Sequence, residues 1–174
     1  MNTNQLNEIV KIVKSDMDKL NIPYENDVPI VINKRLSRSL GRCKYRCGVA
    51  FLIELSEVII ASELQELKNT ICHELIHSAC PYDNHGGMWL AYANKMTRNS
   101  EYTITRLHDT KGLNQELLKA KEQSYKYKVT CKCGCTIKQK RKTDFIKNIE
   151  KFDGKSKYWR CSKCKSDEWK LETL

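Results

Sequence analysis

Residues 64–80 read LQELKNTICHELIHSAC, a segment with the spacing of a long amphipathic helix. Apolar residues recur in it at helical intervals and form one stripe, because successive helical residues turn by about 100°. The stripe consists of Leu64, Leu67, Ile71 and Leu75. His73 and His77 project from the opposite side, one helical turn apart. The segment therefore predicts a helix that buries its leucines and leaves two imidazoles on the other side available to contact another group.

The sequence on either side of this helix predicts a small α+β domain. Ser62 and Gln65 match a capping box at the start of the helix, and Pro81 cannot continue it at the end. Apolar spacing predicts further helices at 4–20 and 87–99, and residues 113–123 are expected to form a polar connecting helix. Runs rich in β-forming residues predict a small, largely antiparallel sheet from 28–33, 39–45 and 49–55.

The pattern His73-Glu74-x-x-His77 is typical of zinc proteases. Two histidines four residues apart lie on nearly the same side of a helix, so both can reach one ion. Glu74 flanks that side and can take a proton from water at the zinc. The plainer interpretation is a solvated helix face that carries two histidines by chance, and the joint pattern favours the metal site.

A catalytic zinc usually takes a third protein ligand and leaves its fourth position open. His85 is the preferred candidate, because Gly86 and Gly87 give the backbone after it freedom to fold back. Glu101 is the competing ligand and His108 a more remote one. Tyr92 and His108 are candidates for stabilising the oxyanion, although each also fits a packing or surface role, so that residue is left unassigned.

The last third of the chain differs in composition from the rest. Residues 1–110 contain 13 Lys and Arg against 13 Asp and Glu, whereas residues 111–174 contain 18 against 8. The net charge of +10 therefore lies in the C-terminal region, which suits a polyanion such as nucleic acid. Phe145, Phe152, Tyr158 and Trp159 interleave with these lysines. Such rings can stack on exposed bases, which makes single-stranded or distorted DNA a reasonable partner. The alternative, favoured for most of these rings, is that they only pack around the thiol cluster.

Five of the nine cysteines cluster in this basic region. Cys161 and Cys164 form a C-x-x-C knuckle, which aims two sulfurs at one tetrahedral ion. The segment that would supply the other two zinc ligands contains three thiols: Cys131, Cys133 and Cys135. A four-thiolate zinc site has no open position, so this one is expected to be structural. The scattered cysteines are interpreted as reduced structural residues: Cys43, Cys47, Cys72 and Cys80. The alternative for Cys43 and Cys47, which are spaced C-x-x-x-C, is a third metal knuckle.

From about residue 30 to residue 169 the sequence resembles the SprT-like, Spartan-related zinc metalloproteases. The resemblance lies in a β-rich segment with GRCKYR, then HELIH, then NHGGMW, then a basic module with paired cysteines. It implies a zincin-like fold with His73, His77 and His85 as zinc ligands and Glu74 as catalytic base. It also favours Cys131 and Cys133 as partners of the knuckle, with Cys135 as the alternative, because the family often has C-x-C-G here.

The resulting hypothesis is a protease domain at 1–112, a connecting segment at 113–126 and a basic zinc ribbon at 127–174. Two Zn²⁺ ions are expected, one catalytic and one structural. The family implies an endopeptidase that acts on DNA-bound or DNA-crosslinked proteins. The alternatives are a nucleic-acid-binding zinc protein with little proteolysis and a general cytosolic metallopeptidase. The sequence shows no membrane span or signal peptide, so an intracellular location is expected.

Overall fold

A computed structural model of the protein describes residues 1–36, 39–106 and 112–174. The chain divides into two compact units, residues 1–115 and 116–174. The division falls within the segment that the sequence analysis assigns as the connection, 113–126. Within the described ranges, every helix is too short or too polar to cross a membrane.

Unit 1 combines helices with a three-stranded sheet, and the predicted α+β class is confirmed. Its elements are α1 (Thr3–Lys19), β1 (Ile30–Asn33), β2 (Gly41–Arg46), β3 (Val49–Ser56), α2 (Glu57–Ile60), α3 (Leu64–Ala79) and α4 (Gly87–Asn99). A capping box starts α1, since the side chains of Asn2 and Gln5 each accept a hydrogen bond from the other residue's backbone N–H. The predicted helix at 87–99 is confirmed at both ends.

The sheet of unit 1 has the strand order β1-β3-β2, with β3 in the centre. β2 and β3 form an antiparallel hairpin, whose turn at Cys47 and Gly48 has φ values of 48° and 81°. Two left-handed residues in succession match the tight turn that two-residue hairpins prefer. β1 runs parallel to β3, with Ile30 opposite Ile53. The prediction of an antiparallel sheet is therefore wrong for this pairing, because the chain crosses beyond β3 after β1 instead of turning back beside it.

The edge strand β2 has two chemically different faces. Its inner face is turned towards α3: the Tyr45 hydroxyl donates to the backbone carbonyl of His77 at 2.8 Å, and Gly41 lies against Glu74. Its outer face carries the alternate residues Arg42, Lys44 and Arg46. β2 therefore lies beside the predicted metal site on its inner face and carries a row of cations on its outer face.

Helix α3 lies in the core of unit 1 and is buried on nearly all sides. Most of its residues between Leu67 and Ser78 are buried, including His73 and Glu74, each 5% exposed. The predicted stripe is wrong at Leu64, which is 54% exposed at the start of the helix. A solvated face carrying two histidines is thus inconsistent with the structure.

The predicted capping box of this helix is also wrong. The N-cap of α3 is Glu63, whose side chain makes no capping hydrogen bond. The Ser62 hydroxyl instead donates to the backbone carbonyl of Val58 at 2.6 Å, and Gln65 reaches Asn69 and the Glu101 carbonyl. The short helix α2 ends immediately before Ser62, so the Ser62 hydroxyl bonds to a carbonyl of α2 and does not cap α3.

The second unit is a small antiparallel sheet with one helix packed on it. Its elements are β4 (Tyr127–Cys131), β5 (Thr136–Gln139), α6 (Asp144–Lys151) and β6 (Trp169–Thr173), preceded by α5 (Gln115–Gln123) across the division between the units. The strand order is β5-β4-β6. Its core joins apolar residues to two of the thiols: Val129, Cys131, Ile146, Ile149, Cys161 and Trp169. The helix α6 was not predicted from the sequence.

Candidate metal centres

Three imidazole nitrogens converge in unit 1. His77 Nε2 lies 3.2 Å from His73 Nε2 and 3.1 Å from His85 Nε2. The Nε2 atoms of His73 and His85 are 3.1 Å apart. Tetrahedral zinc with bonds of about 2.0–2.1 Å places its ligand nitrogens about 3.3–3.4 Å from one another. The triangle therefore matches the donor set and the spacing of a three-histidine zinc site.

The protonation of these rings also suits a metal ion. His73 Nδ1 lies 3.1 Å from the backbone carbonyl of Thr105, which can only accept a hydrogen bond. The proton of a neutral His73 therefore belongs on Nδ1, which leaves a lone pair on Nε2. Burial, and then the nearby His85, lower the pKa of His77 to about 4, against a smaller opposing effect of Asp83. Burial and then the charge of Arg106 lower the pKa of His85. Neutral rings with free lone pairs are what a zinc ion binds.

Different parts of unit 1 hold the three rings. His73 and His77 come from successive turns of α3, whereas His85 comes from the loop between α3 and α4. The backbone of His85 is left-handed, with φ 58°, and Arg106 holds its carbonyl with hydrogen bonds from Nε at 3.1 Å and from Nη2. The Asp83 carboxylate accepts from the first N–H groups of α4, those of Met88 and Trp89, at 2.7 and 2.9 Å.

Trp89 supports all three imidazoles from within the core. Its side chain is fully buried, and its ring centroid lies 4.8, 5.4 and 4.5 Å from those of His73, His77 and His85. Contacts of this kind restrict the ring orientations, so the triangle is held from behind as well as along the chain.

Glu74 is buried beside the histidines and beneath the inner face of β2. A Cβ atom at position 41 would lie 2.6 Å from Glu74 Oε1, so glycine leaves the space that this carboxylate occupies. Burial raises the pKa of Glu74 to about 8, although a hydrogen bond from the Cys43 backbone opposes the shift. An adjacent divalent cation would favour the ionised carboxylate. A buried carboxyl with a pKa near neutrality has the property required of a general base.

The competing candidates lie elsewhere or outside the described residues. Glu101 is exposed and accepts a hydrogen bond from Lys68 Nζ at 2.9 Å, and it is not among the residues that converge with the histidines. Tyr92 is partly buried on α4. His108 falls in the segment 107–111, which lies outside the described residues.

Four thiols converge in unit 2. The Sγ atoms of Cys131 and Cys164 are 3.4 Å apart, those of Cys133 and Cys161 are 3.6 Å apart, and all four lie within 4.8 Å of one another. Zinc–sulfur bonds of about 2.3 Å in a tetrahedron place the sulfurs roughly 3.8 Å apart, so the group fits a zinc ion. Cys135 lies beside the Cys133 and Cys161 thiols but outside this group of four.

Backbone turns shape both halves of this thiol cluster. The N–H of Gly134, at φ 85°, donates to the Cys131 carbonyl, and the N–H of Lys165, at φ 61°, donates to the Cys161 carbonyl. Hydrogen bonding from the Cys164 backbone is the main reason that the pKa of Cys161 falls to about 6. Such a thiol is readily deprotonated near neutral pH, as a zinc ligand must be.

Sequence reasoning missed several residues that support the histidine site, among them Gly41, Asp83, Trp89 and Arg106. Gly41 carried a readable signal, because an isolated glycine within a strand marks a close approach by another group. Asp83 and Arg106 act through backbone atoms of a loop, and no spacing rule indicates such contacts.

The comparison with protein families agrees with this geometry. A model of the SprT-like family matches residues 6–108, which is more than half of the chain. The chain therefore belongs to the SprT-like family, and the resemblance seen in the sequence is confirmed. The family is generally associated with a zinc metallopeptidase-like fold. A search among curated proteins gives no match to this sequence.

Proposed function

We propose that this protein is a zinc-dependent endopeptidase that cleaves DNA-bound or DNA-crosslinked proteins. The observation that carries the proposal is the triangle of imidazole nitrogens, with sides of 3.1–3.2 Å, beside the buried carboxyl of Glu74. His73, His77 and His85 are its zinc ligands. A purely structural zinc site would have four protein ligands. Among the described residues, this group has three.

Zinc held by the three imidazoles would supply a Lewis acid that polarises the scissile carbonyl and makes water more acidic. Glu74 takes the proton from the attacking water and passes it to the departing amine. The space left by Gly41 and the hydrogen bond from the Cys43 backbone hold the carboxyl of Glu74 in place. Thr105, through its carbonyl, fixes which nitrogen of His73 carries the proton.

The second unit is proposed to be a zinc ribbon that binds DNA. A site with four thiolates from Cys131, Cys133, Cys161 and Cys164 is closed, so its role is to hold the fold together. Aromatic side chains remain exposed on this unit: Phe152, Tyr158 and Trp159. Lys151 Nζ lies 5.7 Å from the ring centre of Phe152, and Lys157 Nζ lies 5.6 Å from that of Tyr158. Exposed rings beside cations suit stacked bases and phosphates, which supports single-stranded or distorted DNA as the partner.

The decisive experiment compares the wild type with Glu74→Gln on a protein substrate bound to single-stranded DNA and on the same substrate without DNA. We expect cleavage by the wild type with DNA, little without it, and none by the variant, with about two zinc ions per chain in both proteins. If the wild type cleaves no better than the variant, the protease claim fails and a nucleic-acid-binding zinc protein replaces it. Equal cleavage without DNA would indicate a general peptidase.

A further inference from the structure

The charged residues of unit 1, which contains the histidine site, are unevenly distributed along its sequence. Residues 1–110 are electrically balanced, but residues 28–57 contain six Lys and Arg against two Asp and Glu. The remainder of residues 1–110 contains seven against eleven. No acidic residue occurs from Val28 to Ile53, the stretch that forms β1, β2 and most of β3. The sheet is therefore the basic part of a unit that is otherwise acidic.

The structure places five of these six cations on the outer face of the sheet and at its ends, and the sixth, Arg38, lies outside the described residues. Arg42 and Lys44 extend from alternate positions of β2 and bind the carboxylate of Glu54, with shortest contacts of 2.6 and 3.1 Å. Arg46 follows on the same face, with its guanidinium carbon 5.4 Å from the ring centre of Phe51. Lys34 and Arg35 lie just beyond the end of β1 and are exposed. We call these five residues the sheet-face cations: Lys34, Arg35, Arg42, Lys44 and Arg46.

Internal pairing neutralises only part of this charge. Glu54 is one carboxylate shared by two cations, and the side chain of Arg42 remains 49% exposed. Lys34 lies 3.9 Å from Glu57, with a side chain that is 79% exposed. A pair at that distance and exposure contributes little energy and is easily replaced by another anion. Excess positive charge therefore remains available to a ligand.

We propose that the sheet-face cations form a second nucleic-acid contact, in which the outer face of β2 and the exposed residues after β1 bind the phosphate backbone. The inference rests on the proposed function and deepens it: the catalytic unit itself, and not the ribbon alone, binds DNA. Charge complementarity selects the occupant, because a row of cations with a single buried carboxylate fits a regular polyanion.

The spacing of the cations on β2 suits a phosphate backbone. Arg42 and Arg46 are four residues apart on one strand, which corresponds to about 13 Å. In a duplex each DNA strand advances 3.4 Å along the helix axis per phosphate, so this distance covers roughly four phosphates there and fewer on an extended single strand. Phe51 is 42% exposed beside Arg46 and offers a ring to an unstacked base.

The position of the row has a functional consequence. The inner face of the same strand contacts Glu74 through Gly41, so the backbone of bound DNA would run about one sheet thickness, of order 10 Å, from the catalytic carboxyl. Protein attached to that DNA would then lie next to the site of cleavage.

The test uses the full chain in a Glu74→Gln background, so that binding is measured without proteolysis. The variant Lys34→Gln/Arg35→Gln/Arg46→Gln removes three exposed cations and leaves Arg42 and Lys44 paired with Glu54. The matched control, Lys19→Gln/Lys95→Gln/Arg98→Gln, removes three cations from the helices α1 and α4. The affinity for a single-stranded oligonucleotide is measured across salt concentrations, and vesicles containing phosphatidylserine serve as another polyanion.

Each lost phosphate contact lowers the slope of log K against log salt by about 0.7 on single strands. We expect the sheet-face variant to lose a slope of about 2 and about tenfold or more in affinity at low salt, and the control to change neither. An unchanged slope in the sheet-face variant overturns the inference, as does an equal loss in the control. Loss of vesicle binding without loss of DNA binding also overturns it.

The outcome is separable from that of the proposed protease function. If the slope falls as expected but the wild type cleaves nothing, the inference stands and the protease proposal fails. If the wild type cleaves DNA-bound protein and the slope is unchanged, the protease stands and the DNA contact belongs elsewhere.

Discussion

Gly41 lies against the side chain of Glu74 so closely that a Cβ atom at position 41 would be 2.6 Å from Oε1 and 2.7 Å from Cγ. The contact joins an edge strand to the buried carboxyl between two histidines. It makes the position of the proposed general base depend on a residue that contributes no side chain.

The first prediction concerns this contact. Gly41→Ala is expected to displace the Glu74 carboxyl and lower kcat by about 10- to 100-fold, because misplacement of a catalytic group by about 1 Å has effects of that size. Zinc content should remain near that of the wild type, since the histidines keep their positions. Steady-state kinetics and metal analysis measure the two effects. The control is Gly87→Ala, where a Cβ meets nothing within 4 Å and full activity is expected.

The second prediction concerns the loop that carries His85. Arg106→Gln removes the guanidinium that holds the His85 carbonyl, and we expect zinc affinity at the histidine site to fall by about 10-fold or more. Competition with a chelator of known affinity measures the change. Arg98→Gln, at an exposed cation on α4, should leave the affinity unaltered. Equal affinities in both variants would show that Arg106 does not position the ligand.

The third prediction separates the thiols of the ribbon. Cys164→Ser removes one of four converging sulfurs and should release one zinc ion and expose residues 116–174 to proteases. Cys135→Ser should retain both zinc ions and the protection, because Cys135 lies outside the converging group. Loss of zinc from Cys135→Ser would make Cys135 a ligand in place of Cys131 or Cys133.

The fourth prediction concerns pH and the ion pairs of Glu54. Burial raises the pKa of Glu54, but hydrogen bonds from Arg42 and Lys44 outweigh this and bring it below 4.5. Because the folded pKa is lower than the unfolded one, the stabilisation is present above about pH 4.5 and is lost as the pH falls through the folded value. Glu54→Gln is therefore expected to destabilise unit 1 by about 2 kcal/mol at pH 7, the size of a hydrogen bond to a charged group, with a smaller difference below pH 4.

Urea unfolding, followed by the protease resistance of residues 1–115, measures this effect. Glu57→Gln is the control, since Glu57 is 45% exposed and its contact with Lys34 is 3.9 Å long. A change within about 0.5 kcal/mol is expected there. A difference between Glu54→Gln and the wild type that stays constant down to pH 3 would contradict the assignment of the stabilisation to an ionised Glu54.

The parts of the fold that the sequence predicted are those with regular periodicity. The predicted helix at 87–99 matches α4 at both ends, and all three β-rich runs of unit 1 became strands. The parallel pairing of β1 was missed because alternation along a strand does not reveal its partner. The helix α6 was missed because its apolar face is short, with Ile146 and Ile149 set among charged residues.

The residues of the candidate site can also be divided into those that the sequence predicted and those that it did not. His73, Glu74 and His77 share one turn-by-turn pattern, so their proximity followed from helix geometry alone. His85 needed a loop to fold back through a left-handed residue, and the sequence indicated this only through the two glycines that follow it. The contributions of Arg106 and Thr105 depend on tertiary contacts to backbone carbonyls, which leave no pattern in the sequence.

The burial of α3 on nearly all sides has a consequence for how the site loses its geometry. Amide hydrogens of such a helix exchange with solvent only in the rarest and most extensive openings of a domain. His73 and His77 should therefore keep their positions until unit 1 unfolds as a whole. His85 is carried by a loop, so it is the ligand position that local fluctuation reaches first. Hydrogen exchange should show slow amides through α3 and faster ones around His85, and a zinc ion bound to the three histidines would then lose its contact with His85 first.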